Sequence, residues 1–165
     1  MSEDTHQVKR ARKSNDIPAV LRINIDKATS LLNKRKSAAV LETNGQDDPS
    51  LQCLLDYGMR QNGYPSVSWS HTEANIQVSH LALRVDKGDA EVPYRCKRET
   101  ASHLCHNKLC IKADHIIKET VGANSRRNGC LAFVTCGCGC KVNACGHTPR
   151  CLLPFPKNQP AEAEE

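Results

Sequence analysis

The sequence predicts a small α+β domain held together by zinc, with one antiparallel ribbon and few helices. Three observations predict it. Cysteines and histidines fall into two groups with metal-ligand spacing, Cys105, Cys110 and His115 in one and Cys130, Cys145, His147 and Cys151 in the other. The segment after Gly63 alternates apolar and hydroxyl side chains with a period of two. Two phenylalanines and one tryptophan in 165 residues leave little material for a large apolar core, so cross-links must do part of what packing does elsewhere. The ten cysteines serve as disulfides or as ligands according to compartment. Met1 to Asp16 is polar and charged rather than a signal peptide, and no apolar run approaches the length of a membrane span. In the reducing compartment this implies, histidines interleaved with cysteines favour zinc. Each structural ion supplies about 10–16 kcal/mol of apparent binding free energy.

Taken in order, residues 1–16 read as a disordered tail, residues 17–153 as the domain and residues 154–165 as a second, Pro-, Ala- and Glu-rich tail. The cluster Lys9-Arg10-Ala11-Arg12-Lys13 has the composition of a nuclear-import signal or a DNA-gripping arm, and equally of a solvated tail. The net charge of +5 points mildly toward a polyanionic partner. From Pro18 to Leu41 apolar residues keep partial helical spacing, broken by Lys34-Arg35-Lys36, and predict one or two short helices. Glu42 to Ser50, with Asn44-Gly45 and Asp48-Pro49, is a loop by its turn residues.

The ribbon comes next. Val67, Trp69 and His71 alternate with Ser66, Ser68, Ser70 and Thr72, and a second strand is predicted from Asn75 to Val85, joined to the first across Glu73-Ala74. One face carries hydroxyls and the other carries Val67 and Trp69 for packing. A two-stranded ribbon fits the DNA major groove, which makes Ser68, Ser70, Thr72 and Gln77 candidate DNA contacts. Alternation is also what any half-exposed strand shows, so this segment alone does not require a ligand. Ile116 to Asn128 is predicted helical, with Glu119 or Thr120 near its start and Arg126 and Arg127 near its end. Gly129 to Cys151 has too few apolar residues to fold without cross-links.

Cys105, Cys110 and His115 follow a Cys-x4-Cys-x4-His spacing that brings two thiolates and an imidazole to one tetrahedral ion. Cys53 and Cys96 compete for the fourth position. The second group, Cys130 with Cys145, His147 and Cys151, completes a tetrahedron by itself. Cys136, Cys138 and Cys140 are surplus and read as alternative ligands, a redox-sensitive loop or an incidental insertion. His103 sits beside the first group without belonging to its spacing, and the amide of Asn124 follows downstream. That pair suggests a general base working with a second metal site.

These residues resemble the His-Cys box homing endonucleases of the ββα-metal, or His-Me finger, class. The matching pieces are Asn62-Gly63-Tyr64-Pro65 with Trp69 and His80, the run TASHLCHNKLC from Thr100 to Cys110, His115, Asn124, RRNGC ending at Cys130, and CGHTPRC from Cys145 to Cys151. The resemblance spans roughly Cys53 to Cys151. It implies a ββα-metal fold, Cys53 as the distant fourth ligand of the first zinc, His103 as general base, and Asn124 as sole protein ligand of a catalytic Mg2+. It further implies site-specific cleavage of double-stranded DNA to 5′-phosphate and 3′-hydroxyl ends, a homodimer, since one His103/Asn124 pair cuts one strand, and a nuclear location.

The chemistry stands independently. A neutral imidazole takes a proton from an in-line water at physiological pH, and Mg2+ prefers oxygen ligands and keeps several waters, which suits one amide oxygen plus DNA oxygens. One departure stands out. The family places an arginine just after the Asn-Gly strand start to hold the scissile phosphate, where this chain has Ser66, Val67 and Ser68. Arg60 or Arg84 substitutes, or the enzyme is slow, or the scaffold has kept DNA binding and lost cleavage. The alternative functions are therefore a zinc-dependent DNA-binding module without nuclease activity and a cysteine-rich zinc module for protein contacts.

Overall fold

The computed structural model describes residues 24–45, 47–69, 75–94 and 97–154. The expected tails, residues 1–16 and all of 154–165 except Pro154, lie outside them. Helix α1 (Ile25–Ala38) begins where the Asn24 side chain accepts from the Lys27 amide at 2.9 Å, with Asp26 in its first turn and Arg35 and Lys36 in its last. It buries Ala28 and Leu32. Among the described residues of the span expected to hold one or two helices, this helix is followed at once by strand β1 (Val40–Glu42), which pairs antiparallel with β2 (Cys53–Leu55).

Strands β3 (Arg60–Gln61), β4 (Tyr64–Ser68) and β5 (Asn75–Gln77) form a three-stranded antiparallel sheet. Its first turn is Asn62-Gly63, both left-handed at φ 53° and 78°, the backbone that a two-residue hairpin turn requires. Val67 and Trp69 are buried and Ser68 exposed, as the alternation predicts. Ser66 departs from it. Pro65, Ser66 and Val67 are buried in succession, so β4 is covered on both faces there and the hydroxyl face does not extend to Ser66. The ribbon's turn, including Ser70, Thr72, Glu73 and Ala74, lies outside the described residues.

Two expectations are corrected. The predicted strand from Asn75 to Val85 ends at Gln77, and α2 (Val78–Ala82) runs on into a wider π-helical turn, Leu83–Lys87. Val78, Leu81 and Ala82 lie at helical spacing and are all fully buried, so core packing overrides the β-propensity of the run. The predicted helix from Ile116 to Asn128 is a strand first, β7 (Ile116–Thr120), and only then a helix, α3 (Val121–Arg126). The β-branched pair Ile116 and Ile117 enters a ladder with β6 (Glu99–His103), in register from His103↔Ile116 to Glu99↔Thr120. The Thr120 side chain then caps the helix, accepting from the Ala123 amide at 3.1 Å.

The main core joins α1, α2, β4 and the β6–β7 ribbon through Leu32, Trp69, Ile76, Leu81, Leu83 and Ile116. Two smaller apolar clusters form around cysteines, one with Leu55 and Leu153 and one with Ala132. A last hairpin, β8 (Phe133–Thr135) with β9 (Lys141–Asn143), stands apart from all three clusters except at Phe133. No described helix is long and apolar enough to cross a membrane.

Candidate active site and metal centres

Strands β6 and β7 and helix α3 follow one another as a ββα unit, and the loop between the strands carries Cys105, Cys110 and His115. His103 is the last residue of β6 and is buried. Its Nε2 lies 3.1 Å from the Cys110 carbonyl oxygen, which only accepts, so Nε2 carries the hydrogen and Nδ1 the lone pair of the neutral ring. Burial holds the ring's pKa below the ordinary imidazole range, against the opposing pull of Cys110, which keeps it neutral at pH 7. The Tyr64 ring lies 6.1 Å away, centroid to centroid. The preceding residue, Ser102, is also buried and donates its hydroxyl to Asn124 Oδ1 at 2.8 Å. The amide oxygen of α3 is thereby tied to the strand that carries the imidazole, and it keeps a second lone pair for a cation.

The donor atoms of Cys53, Cys105, Cys110 and His115 all lie within 4.8 Å of one another, and all four residues are buried. Cys53 reaches this position because β2 is sewn to the loop: Ile111 N donates to Leu54 O at 2.8 Å and Asp56 N to Leu109 O at 3.0 Å. Cys96, its competitor, lies outside the described residues. His115 donates Nε2–H to the Ser50 carbonyl at 2.6 Å, which turns Nδ1 toward Cys53 and Cys110, each 3.6 Å away. Lys112 in turn binds the carbonyls of Pro49, Ser50 and Gln52 at 2.7, 3.2 and 3.2 Å and fixes the acceptor in place. Such an outer hydrogen bond is what orients a metal-binding imidazole.

Three sulfurs this close compete for protons. Cys110 is held well below the ordinary thiol range by hydrogen bonds from Cys105 and Cys53, and Cys105 well above it by Cys110 and Cys53. Contact with Cys105 lowers Cys53, but Cys110 and burial outweigh it and push the thiol up to about 12. A divalent d10 cation relieves the conflict by letting every sulfur ionise, so the donor set fits tetrahedral zinc.

The second set, Cys130, Cys145, His147 and Cys151, also converges within 4.8 Å, with Cys130 and His147 only half-buried. Here His147 donates Nε2–H to the Arg126 carbonyl at 3.0 Å, while Nδ1 faces Cys145 at 3.3 Å and Cys151 at 3.6 Å. Burial raises the Cys145 thiol, but the amides of Cys151 and His147 and the His147 ring bring it down to about 6. Burial pushes Cys151 up to about 12. The Arg127 guanidinium, 3 % exposed, binds both Glu119 oxygens at 2.9–3.1 Å and reaches the Pro149 carbonyl at 2.8 Å. It joins β7, the end of α3 and the second ligand loop.

Sequence reasoning missed Ser102, Lys112 and Arg127, whose partners are 22 or more residues away except for Glu119. Of the candidate DNA contacts, Ser68 is exposed and Gln77 half-buried, whereas Ser70 and Thr72 are not among the described residues. Of the arginines expected to hold phosphate, Arg84 is paired with Asp89, while Arg60 is exposed on β3, paired in register with Pro65 of β4.

A strand, a ligand-bearing loop, a second strand and a short helix, braced by two Cys/His tetrads, define a zinc-stabilised His-Me finger domain. Residues 53–162 match the family model described as the zinc-binding loop region of homing endonuclease, more than half of the chain, and the chain belongs to that family. The family is one of nucleases, which bind DNA, and its zinc-binding character agrees with the two tetrads. No curated protein and no solved structure matches the chain.

Proposed function

We propose that this chain is a Mg2+-dependent, site-specific endonuclease that cleaves double-stranded DNA to 5′-phosphate and 3′-hydroxyl ends. One observation carries the reading: His103 and Asn124 stand on the first strand and the helix of one ββα unit and are linked through the Ser102–Asn124 hydrogen bond. His103 Nδ1 accepts a proton from the water that attacks phosphorus, while its Nε2–H stays on the Cys110 carbonyl and fixes the ring. Asn124 Oδ1 would hold Mg2+, with DNA oxygens and water filling its other positions. When bound, Mg2+ stabilises charge on the phosphate and on the departing 3′ oxygen. Cys53, Cys105, Cys110 and His115 hold one structural zinc, and Cys130, Cys145, His147 and Cys151 the other. Ser68 and Gln77, with Ser70 and Thr72, contact the DNA. Two copies acting on opposite strands form a homodimer, and the chain works in the nucleus.

Incubation with supercoiled plasmid and a mixed DNA library, with and without Mg2+, tests the reading. Cleaved product that requires Mg2+ and falls by about 10²–10⁴-fold in His103→Ala supports the base, and matching loss in Asn124→Ala supports the metal ligand. The second reading, a DNA-binding module without cleavage, is favoured by the absence of a cation at Ser66–Ser68 and by the engagement of Arg84 with Asp89. Salt-dependent DNA binding with no nicking of any library member would establish it instead.

A further inference from the structure

Among the described residues, three cysteines take no part in either tetrad. Cys136, Cys138 and Cys140 occupy the turn between β8 and β9, and their sulfurs lie within 4.8 Å of one another. Cys136 and Cys140 Sγ are 2.7 Å apart, and Cys138 Sγ abuts both. A sulfur forms one disulfide bond, so no disulfide pairing takes up all three atoms. The backbone builds this convergence: Cys136 N donates to Cys140 O and Gly139 N to Cys136 O, each at 2.9 Å, and Gly139 takes the left-handed φ of 85° that closes the turn. Alternation of cysteine with glycine then leaves all three thiols on one small loop.

The hairpin below the turn is anchored at its base, where Phe133 packs on the second cysteine cluster and Cys130 and Cys145 flank it, but little packs on it toward the tip. Each strand is three residues long, Val134 and Val142 are 42 % and 51 % exposed, and Thr135, Lys141 and Asn143 are exposed as well. Isolated two-stranded hairpins of this kind are marginal in water. A cross-link at the tip would supply what packing does not.

We propose that Cys136, Cys138 and Cys140 form a third metal site, a three-thiolate site for a thiophilic d10 cation. Soft thiolates select monovalent copper and zinc among biological ions. Three donors satisfy trigonal copper, whereas zinc needs a fourth ligand, which water supplies at this exposed loop. Binding releases the thiol protons and moves no electrons.

The test uses the full chain, reduced and with its two tetrads zinc-loaded, beside the Cys136→Ser/Cys138→Ser/Cys140→Ser variant. Each is titrated with chelator-buffered monovalent copper and, separately, with zinc, while release of the resident zinc is followed. The native chain should take up one more equivalent than the variant without releasing zinc, and the amides of Val134 and Val142 should exchange more slowly once it is bound. Uptake of copper identifies the trigonal ion, and uptake of zinc alone the water-completed one. Should the variant fail to fold, alkylation of the native chain gives the same information, since bound metal shields all three thiols. Equal stoichiometry in both proteins with both ions, or unchanged alkylation of the three thiols, overturns the proposal.

Discussion

The two tetrads use the same ligands, three cysteines and one histidine, and do different work. The first gathers residues up to 62 positions apart, buries all of them and ties β2 to the β6–β7 loop. The second spans Cys130 to Cys151, leaves two ligands half-exposed and grips the last carbonyl of α3 through His147. Identical donor chemistry therefore serves as a keystone in one place and as a clamp in the other. The keystone sits against the strand that carries His103, because Cys110 supplies the carbonyl on which the ring rests. The clamp sits at the end of the helix that carries Asn124. Each half of the proposed active site has its own centre.

Breaking the keystone should have the largest effect. Cys110→Ser removes about 10–16 kcal/mol of apparent metal-binding free energy, as much as the whole stability of an ordinary domain, about 5–15 kcal/mol. Thermal melting followed by circular dichroism should then show no cooperative transition, and a sharp transition near the native midpoint would contradict the contrast. Cys145→Ser should do less. Zinc content should fall by one equivalent and amide protection should vanish across residues 130–151, while the amides of Ser102 in β6 and of Leu104 just beyond it, bonded to the His115 carbonyl, stay protected. Loss of protection throughout β6 and β7 would show that the two centres are one cooperative unit.

A smaller effect is expected where the clamp meets the ββα unit. Arg127→Met leaves the Glu119 carboxylate, whose side chain is 10 % exposed, without its partner. The cost is about 3–5 kcal/mol in urea unfolding, and adding Glu119→Gln should recover part of it. Failure of the double variant to recover would point to lost contacts with the Pro149 carbonyl and Cys151 rather than to the stranded charge. Smallest of all is Ser102→Ala, worth about 1 kcal/mol for one hydrogen bond. On the proposed mechanism it raises the Mg2+ concentration needed for half-maximal cleavage and leaves the rate at saturating Mg2+ nearly unchanged, which a Mg2+ titration of the nicking rate would read.

Local spacing carried both ligand groups, because a metal site closed by a short loop must keep its donors close in the chain. The helix start was only half legible: Glu119 and Thr120 both qualify near it, and the Thr120 cap, a contact between residues three apart, comes four residues after the expected start at Ile116. The strand before it was not legible at all. Ile116 to Thr120 becomes a strand only because β6 lies alongside, and no property of the segment by itself announces a partner. The same holds for Val78 to Ala82, which helical burial against the core takes away from the ribbon.

By itself, then, the sequence determined the donor inventory, the place of His103 outside it and the family, all of which are written in residue type and short spacing. Spacing left Cys53 and Cys96 open and the family resemblance pointed to Cys53, which the structure brings into the first tetrad. Only the tertiary structure decided that Ser102 ties Asn124 to the strand bearing the imidazole, and that Arg127 bolts the second loop to β7 and α3. These contacts join segments that the chain separates, and their geometry exists only once the sheets and the cysteine clusters have closed.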